Sequence, residues 1–460
     1  MTSPAPSSAT RLTLRDGGLK SPSPGLVLAA ALLGFALISL DASVVNVALP
    51  SVEAAFGGGM AGLQWVVDAY TLSFAALMLS TGAFADRAGA SRAYAIGLAV
   101  FTLASAACGL APDLPALIAA RAAQGVAAAV VLPASLSLVR QAYPEPAGRA
   151  RAVATWAAGG AVAVALGPVA GGALTTLWDW RGVFFVNLPL GAAALLLLVR
   201  APRSERRPAP LDVPGQLLAV LALTGVTFAV IEGGTTGAVA LLVGVLAGAL
   251  FVRVELRRSH PVVPFRLFRS RTVSVAVASG AACSVAFFGL VFVFSLFFQQ
   301  VQGRSALYAG LMFLPMTGLI GVANLVSGKL AARHGPQLPM RAGQSLAAVG
   351  ALLLLGVDEG TPPLLVAWLL VPMALGCALT VPPLTIAMMD AVPAERAGLA
   401  AGVLNSARQV AGGLGIAVFG ALVSDGFTRG LRESLAISAA LFAVTASLSF
   451  RLSGRPANSP

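Results

Sequence analysis

The chain has 460 residues, 57% of them hydrophobic and only 10% charged. A soluble domain averages about 25% charged residues, so a soluble enzyme, a secreted disulfide scaffold and a disordered protein are all excluded. A polytopic helical membrane protein remains, and the net charge of +12 reads as loops held on the cytoplasmic side rather than as a nucleic-acid surface.

Residues 1–24, rich in Ser and Pro with Arg11, Arg15 and Lys20, are expected to form a disordered basic tail. Fourteen apolar windows follow, at 25–49, 62–85, 92–111, 114–139, 150–176, 182–200, 213–231, 235–252, 272–298, 305–328, 341–357, 362–387, 397–424 and 433–450. Each is close to the ~20 residues that span a bilayer. Pro, Gly and charge mark the breaks, as in Tyr143-Pro144-Glu145-Pro146. The first window is too long for a signal peptide's core and is kept as helix 1. Cys108, Cys283 and Cys377 all fall in apolar stretches and read as small embedded hydrophobes. A short second tail closes the chain at 453–460.

Assigning loops alternately puts 24 Lys and Arg on the side of the N-terminus and 4 on the other, with Arg121 and Arg408 inside helices. The positive-inside rule then makes both termini cytoplasmic.

The sequence also repeats. Gly82-Ala-Phe-Ala-Asp86-Arg87-Ala-Gly89 after helix 2 matches Gly328-Lys-Leu-Ala-Ala332-Arg333-His-Gly335 after helix 10 in spacing. Pro144–Gly172 is echoed by Pro393–Gly415. Two six-helix bundles are expected, 25–200 and 272–452, with helices 7 and 8 inserted in the linker 201–271. Duplicated halves with a site between them are a transporter architecture.

The Gly82–Gly89 stretch resembles the signature of the major facilitator superfamily. Arg121-Ala-Ala-Gln124-Gly125 in helix 4 looks like that superfamily's second motif, and Gly167-Pro168-Val-Ala-Gly171-Gly172 in helix 5 like its antiporter motif. Leu40-Asp41-Ala-Ser-Val-Val-Asn46-Val-Ala-Leu49-Pro50 in helix 1 and Trp178–Pro189 at helix 6 complete a pattern similar to the 14-helix drug:H+ antiporters. Ala90-Ser91 stand where the first motif is usually basic. The resemblance implies the all-α major facilitator fold. It also implies a proton-coupled exporter of small lipophilic toxic compounds or antibiotics, conferring resistance from the cytoplasmic membrane. It makes Gly82, Asp86, Arg87 and Gly89 a conformational latch, and Gly167, Pro168, Gly171 and Gly172 a tightly packed, bendable stretch of helix 5.

No Gly-x-x-x-x-Gly-Lys-[Ser/Thr] motif occurs, so energy is expected from a gradient. His260 and His334 have no metal-ligand spacing to a partner. No metal, cofactor or catalytic group is expected, and the chain is read as a non-enzyme. The partners expected are a small-molecule substrate, protons and the bilayer, without nucleic acid, for a monomer.

Ionisable residues inside a bilayer are costly and point to function. Four qualify: Asp41, Asp68, Arg121 and Arg408. At about 1.5 Å per residue, the first three lie roughly 9–13 Å below the outer boundary and are candidates for one shared cavity. Asp41 is read as the proton-binding carboxylate and Arg121 as its electrostatic partner; the alternative is a buried pair that only fixes packing. Asp68 reads as a cation-recognising residue of the outer cavity or as a solvated mouth residue. Arg408 faces the cavity from the second half or snorkels toward the cytoplasmic surface.

In helix 9, Ser284, Phe288, Phe292, Ser295 and Gln299 fall on one helical face. They are candidates for a drug pocket, with Asn46 and Gln124, or for plain packing. Helices 9–14 hold no embedded acid, so any proton site belongs to the first half. The rival readings are a proton-coupled importer of a small metabolite and a membrane-embedded transferase. The first sits badly with the helix-5 motif, and the second lacks a nucleophile cluster in the inner loops.

Overall fold

The computed structural model describes residues 24–199, 212–258, 263–392 and 397–451. The expected tails at 1–23 and 453–460 and most of the loop 201–212 lie outside the described residues.

All regular structure among the described residues is helical. The first bundle comprises α1 (Pro24–Phe56), α2 (Gly59–Ala88), α3 (Ala90–Gly109), α4 (Leu114–Ala142), α5 (Pro146–Leu177), α6 (Gly182–Phe185) and α7 (Asn187–Leu198). A hairpin, α8 (Val213–Glu232) and α9 (Gly234–Arg257), follows. Then come α10 (Arg271–Leu296), α11 (Ala306–Met312), α12 (Leu314–His334), α13 (Gln337–Leu354), α14 (Pro363–Asp390), α15 (Ala397–Ser424) and α16 (Phe427–Phe450). Helices α6 and α7 are one rod, since Val186 between them keeps helical angles; α11 and α12 are a second, bent at Phe313 before Pro315. The described helices thus make fourteen rods, and eleven of these are long and apolar enough to cross a bilayer by length and composition. The other three are α2, α13 and the short α6–α7 rod.

Local chemistry sets the ends. Asp113 caps α4 by accepting from Ala116 N at 2.8 Å, and Asp212 caps α8 from Gly215 N at 2.9 Å. Three glycines of positive φ, Gly57 to Gly59, reverse the chain between α1 and α2. Helix α1 runs past its expected end, straight through Pro50. Prolines inside α4, α5 and α14 are likewise accommodated, because neighbouring helices re-satisfy the freed carbonyls within a membrane. The repeat read in the sequence recurs in the backbone: Gly89 and Gly335 both take positive φ, 86° and 81°.

Helices α1, α4, α5 and α7 pack together with α2 and α3, and α10, α13, α14 and α16 with α12 and α15. The α8–α9 hairpin closes through Gly225 against Gly244. It leans on α2 and α15, held by Trp65 Nε1 donating to Glu232 at 2.9 Å and by Gln216 bonding Ser80. Its outer side exposes Leu217, Leu221, Leu242 and Leu246, as suits contact with lipid.

The two faces of the molecule differ. Near the α2–α3 turn, where Arg87, Arg92, Arg140 and Arg149 lie, each half has its own apolar core: one around Tyr94 and Phe101, the other around Met340 and Met388. Toward the opposite face a single core joins both halves, running from Val44 and Phe184 to Phe294 and Phe419. The halves are therefore fused at one face and parted at the basic one.

Candidate functional site

Side chains of α4 and α7 converge on Asp41 of α1, which is 0% exposed. Its Oδ2 meets Arg121 Nη1 at 2.5 Å. Its Oδ1 accepts from Asn187 Nδ2 at 2.8 Å and from Gln124 Nε2 at 3.1 Å. Arg121 is equally enclosed: Nε donates to Val66 O at 3.0 Å, Nη1 donates to Gln124 Oε1 at 2.9 Å, and the guanidinium lies 4.3 Å over the Tyr70 ring. Around these, Cys108 Sγ donates to Gln124 Oε1, Asn187 to Ser105 Oγ, and Ser105 to Phe184 O. The pair thus ties α1, α2, α3, α4 and α7 together. Buried charges persist when paired and multiply hydrogen-bonded, and here both ions are. Sequence reasoning placed Gln124 in the cavity, whereas it belongs to this network. It missed Asn187, whose signal was a lone amide in an apolar helix 6.

Asp68 does not join the pair, so the expected shared cavity of three charges is not formed. Its carboxylate is 0% exposed and neither oxygen has a hydrogen-bond partner among the described residues. It faces Gly413 of α15, where a Cβ would stand 3.3 Å from Asp68 Oδ1. It is therefore not a solvated mouth residue but a group on the seam between the halves.

A cavity of about 200 Å³ lies between α5 and the helices of the second half, lined by Ser284, Phe288, Asn324, Cys377 and Arg408 among others. Arg408 thus faces the cavity rather than snorkelling. The α10 stripe divides in two. Ser284 and Phe288 line the cavity, whereas Phe292 and Ser295 are 0% exposed in the fused core. Ser295 Oγ donates to Asn46 O at 2.8 Å and Gln299 Nε2 to Val47 O at 3.0 Å. Asn46 is also buried in this region, its Nδ2 donating to Ala42 O of its own helix. Phe292, Ser295, Gln299 and Asn46 therefore close the face opposite the basic one instead of lining the described cavity.

Gln64 adds to that seal by donating across the seam to Ala417 O at 2.5 Å. Each such bond is worth about 0.5–1.5 kcal/mol net. Replacing Gln64 and Gln299 by Ala together is expected to shift the molecule toward opening at this face by about 1–3 kcal/mol, roughly 5- to 150-fold. Spin-label distances between the α1–α2 and α13–α14 turns check this; an unchanged distribution contradicts it.

The helix-5 glycines separate by role. A Cβ at Gly167 or Gly171 would strike Ser43 or Val44 of α1, inside the first half. A Cβ at Gly172 would stand 2.5 Å from Ala306 O of α11, in the second half. Pro168 O is approached just as closely by Gly310.

At the basic face a vestibule of about 520 Å³ opens between the halves, lined by Gly82, Arg140, Trp156 and Asn405. Arg87 is exposed there and Gly89 makes the turn; the side chain of Asp86 lies outside the described residues.

Two helical bundles fused at one face, parted at the other and enclosing a mid-depth cavity define a secondary transporter. The chain belongs to the Major Facilitator Superfamily, which it matches over residues 31–416. It is 38% identical over 410 residues to multidrug resistance protein Stp of Mycobacterium tuberculosis, covering 87% of this chain and 76% of that one. It is 37% identical over 414 residues to the methylenomycin A resistance protein of Streptomyces coelicolor, covering 88% and 87%. Its fold superposes with a TM-score of 0.69 and 18% identity on a bacterial homolog of the human lysosomal transporter Spinster, in an inward-facing and unoccupied conformation, over 94% of this chain and 97% of that one.

Proposed function

We propose that this protein exports small lipophilic toxic compounds or antibiotics across the cytoplasmic membrane in exchange for protons, acting as a monomer with both termini inside. Similarity to resistance proteins supports the export direction. The 24-to-4 distribution of Lys and Arg supports the orientation, which makes the parted face cytoplasmic and the conformation inward-open.

The observation that carries the coupling is the enclosed Asp41–Arg121 pair. In this reading the exchanged proton binds the Asp41 carboxylate, whose partner is the Arg121 guanidinium. Inward-open, the ionised pair binds α1 to α4, and through Val66 and Asn187 to α2 and α7. A proton arriving from outside would remove one charge of that pair and loosen this set of contacts. Drug and proton then favour different arrangements of the first bundle, and coupling follows by linkage. The gradient supplies about 2.3 kcal/mol per charge per 100 mV and about 1.4 kcal/mol per pH unit. Asp68, on the seam that must part, is the second acid open to protons once the outer face separates. In this reading the Gly82–Gly89 turn latches the parted face when it closes, and Gly172 carries the α5–α11 contact that seals the other.

Expression in an efflux-deficient cell with a panel of toxic compounds tests the reading. Raised tolerance that collapses when the proton gradient is dissipated is expected. Unchanged tolerance across the panel contradicts it.

A further inference from the structure

Two arginines, Arg121 and Arg408, lie well inside their helices rather than near the ends, and among the described residues only Arg121 has an anion. Arg121 has a carboxylate, a carbonyl, an amide and an aromatic face. Arg408 of α15 has no hydrogen bond or ion pair among the described residues, and its Nε is shut off from solvent. No Asp or Glu lines the cavity it faces. Asp68, the buried acid on the seam, faces Gly413. That glycine is five residues further along α15, so it points about 140° away round the helix.

Arg408 is half-buried, with Nε enclosed and the fork turned to the cavity, and a cation with its donors turned into an apolar cavity is best matched by an anion that enters there. The rest of the lining states what else enters: Phe287 and Phe288, their rings 5.4 Å apart and perpendicular, offer an apolar wall. Ser284 and Asn324 offer a few neutral polar contacts.

We propose that Arg408 is the recognition group for an anionic head, so that the cavity selects lipophilic organic anions of carboxylate type over cations. This rests on the exporter reading and names its substrate class. The planar fork of the guanidinium fits a carboxylate in bidentate fashion, with the ring system of the substrate against Phe288. A cationic drug would meet an arginine with no acid to offset it.

The test uses the full chain in lipid nanodiscs and three probes sharing one ring: 2-naphthoate, 2-naphthamide and 2-naphthylmethylammonium, titrated by calorimetry. Wild type is expected to bind naphthoate most tightly and the ammonium least. Arg408→Gln is expected to weaken naphthoate about tenfold or more and leave the amide unchanged. Arg408→Lys, which keeps the charge but loses the fork, is expected to fall between them; it carries the test if the Gln variant does not fold. Ammonium bound as tightly as naphthoate, no naphthoate binding to wild type, or naphthoate binding indifferent to both variants overturns the assignment. If the anion preference fails while cells still resist toxic compounds, the exporter reading stands alone. If resistance is absent but naphthoate binds through Arg408, the exporter reading falls and the anion site stands.

Discussion

Asp41→Asn is expected to abolish uphill export while leaving downhill drug movement through the protein. The asparagine keeps an acceptor for Asn187 and Gln124, which lie 2.8 and 3.1 Å from the present Oδ1. It removes the one charge that balances Arg121, and breaking a buried pair from one side costs about 3–5 kcal/mol. The variant is therefore expected to unfold at a lower temperature than wild type. Adding Arg121→Gln removes the stranded cation and is expected to restore most of that stability without restoring coupling. If the pair served packing alone, the double variant would recover both. Thermal unfolding and gradient-driven accumulation in everted vesicles, measured on the same proteins, separate these outcomes.

Gly172→Val is expected to hold the transporter open on the outer side. The glycine gives α5 direct contact with the Ala306 carbonyl of α11, where a Cβ would stand 2.5 Å away. Forcing carbon atoms into such a contact costs about 1–3 kcal/mol, here charged only to conformations in which the outer face is shut. The ratio of outward-open to inward-open molecules is expected to rise roughly 5- to 150-fold, with slower drug turnover. Gly171→Val is the control, because its side chain would press on Val44 of α1 within one bundle. It is expected to lower thermal stability without favouring either face. Spin-label distances across the outer face read the first effect, and an identical response from both variants would contradict the division of roles.

Much of the fold was legible in the sequence because a bilayer leaves few choices. A run of some twenty apolar residues must be a helix there. The Asp41–Arg121 pairing was legible for a related reason: two opposite charges at one depth in neighbouring helices have few other partners. What could not be read was rotation about helix axes. Asp68 lies at the depth of the pair yet faces α15, and nothing in its spacing from Trp65 or Tyr70 announces that. The stripe from Ser284 to Gln299 reads as one face in the sequence, but the helix widens to π geometry from Phe297, its lower part meets a void and its upper part meets backbone carbonyls of α1. Periodicity reports a shared face, not what the other half of the molecule sets against it. Asn187 was passed over because an amide becomes a ligand only once a distant helix delivers the carboxylate.

Direct pH recording in weakly buffered solution, as an exported compound is added to purified protein, bears most closely on the coupling. Release of protons by wild type and none by Asp41→Asn, at equal drug occupancy, is the predicted result. Equal release from both proteins would place the exchanged proton elsewhere and contradict the role given to Asp41.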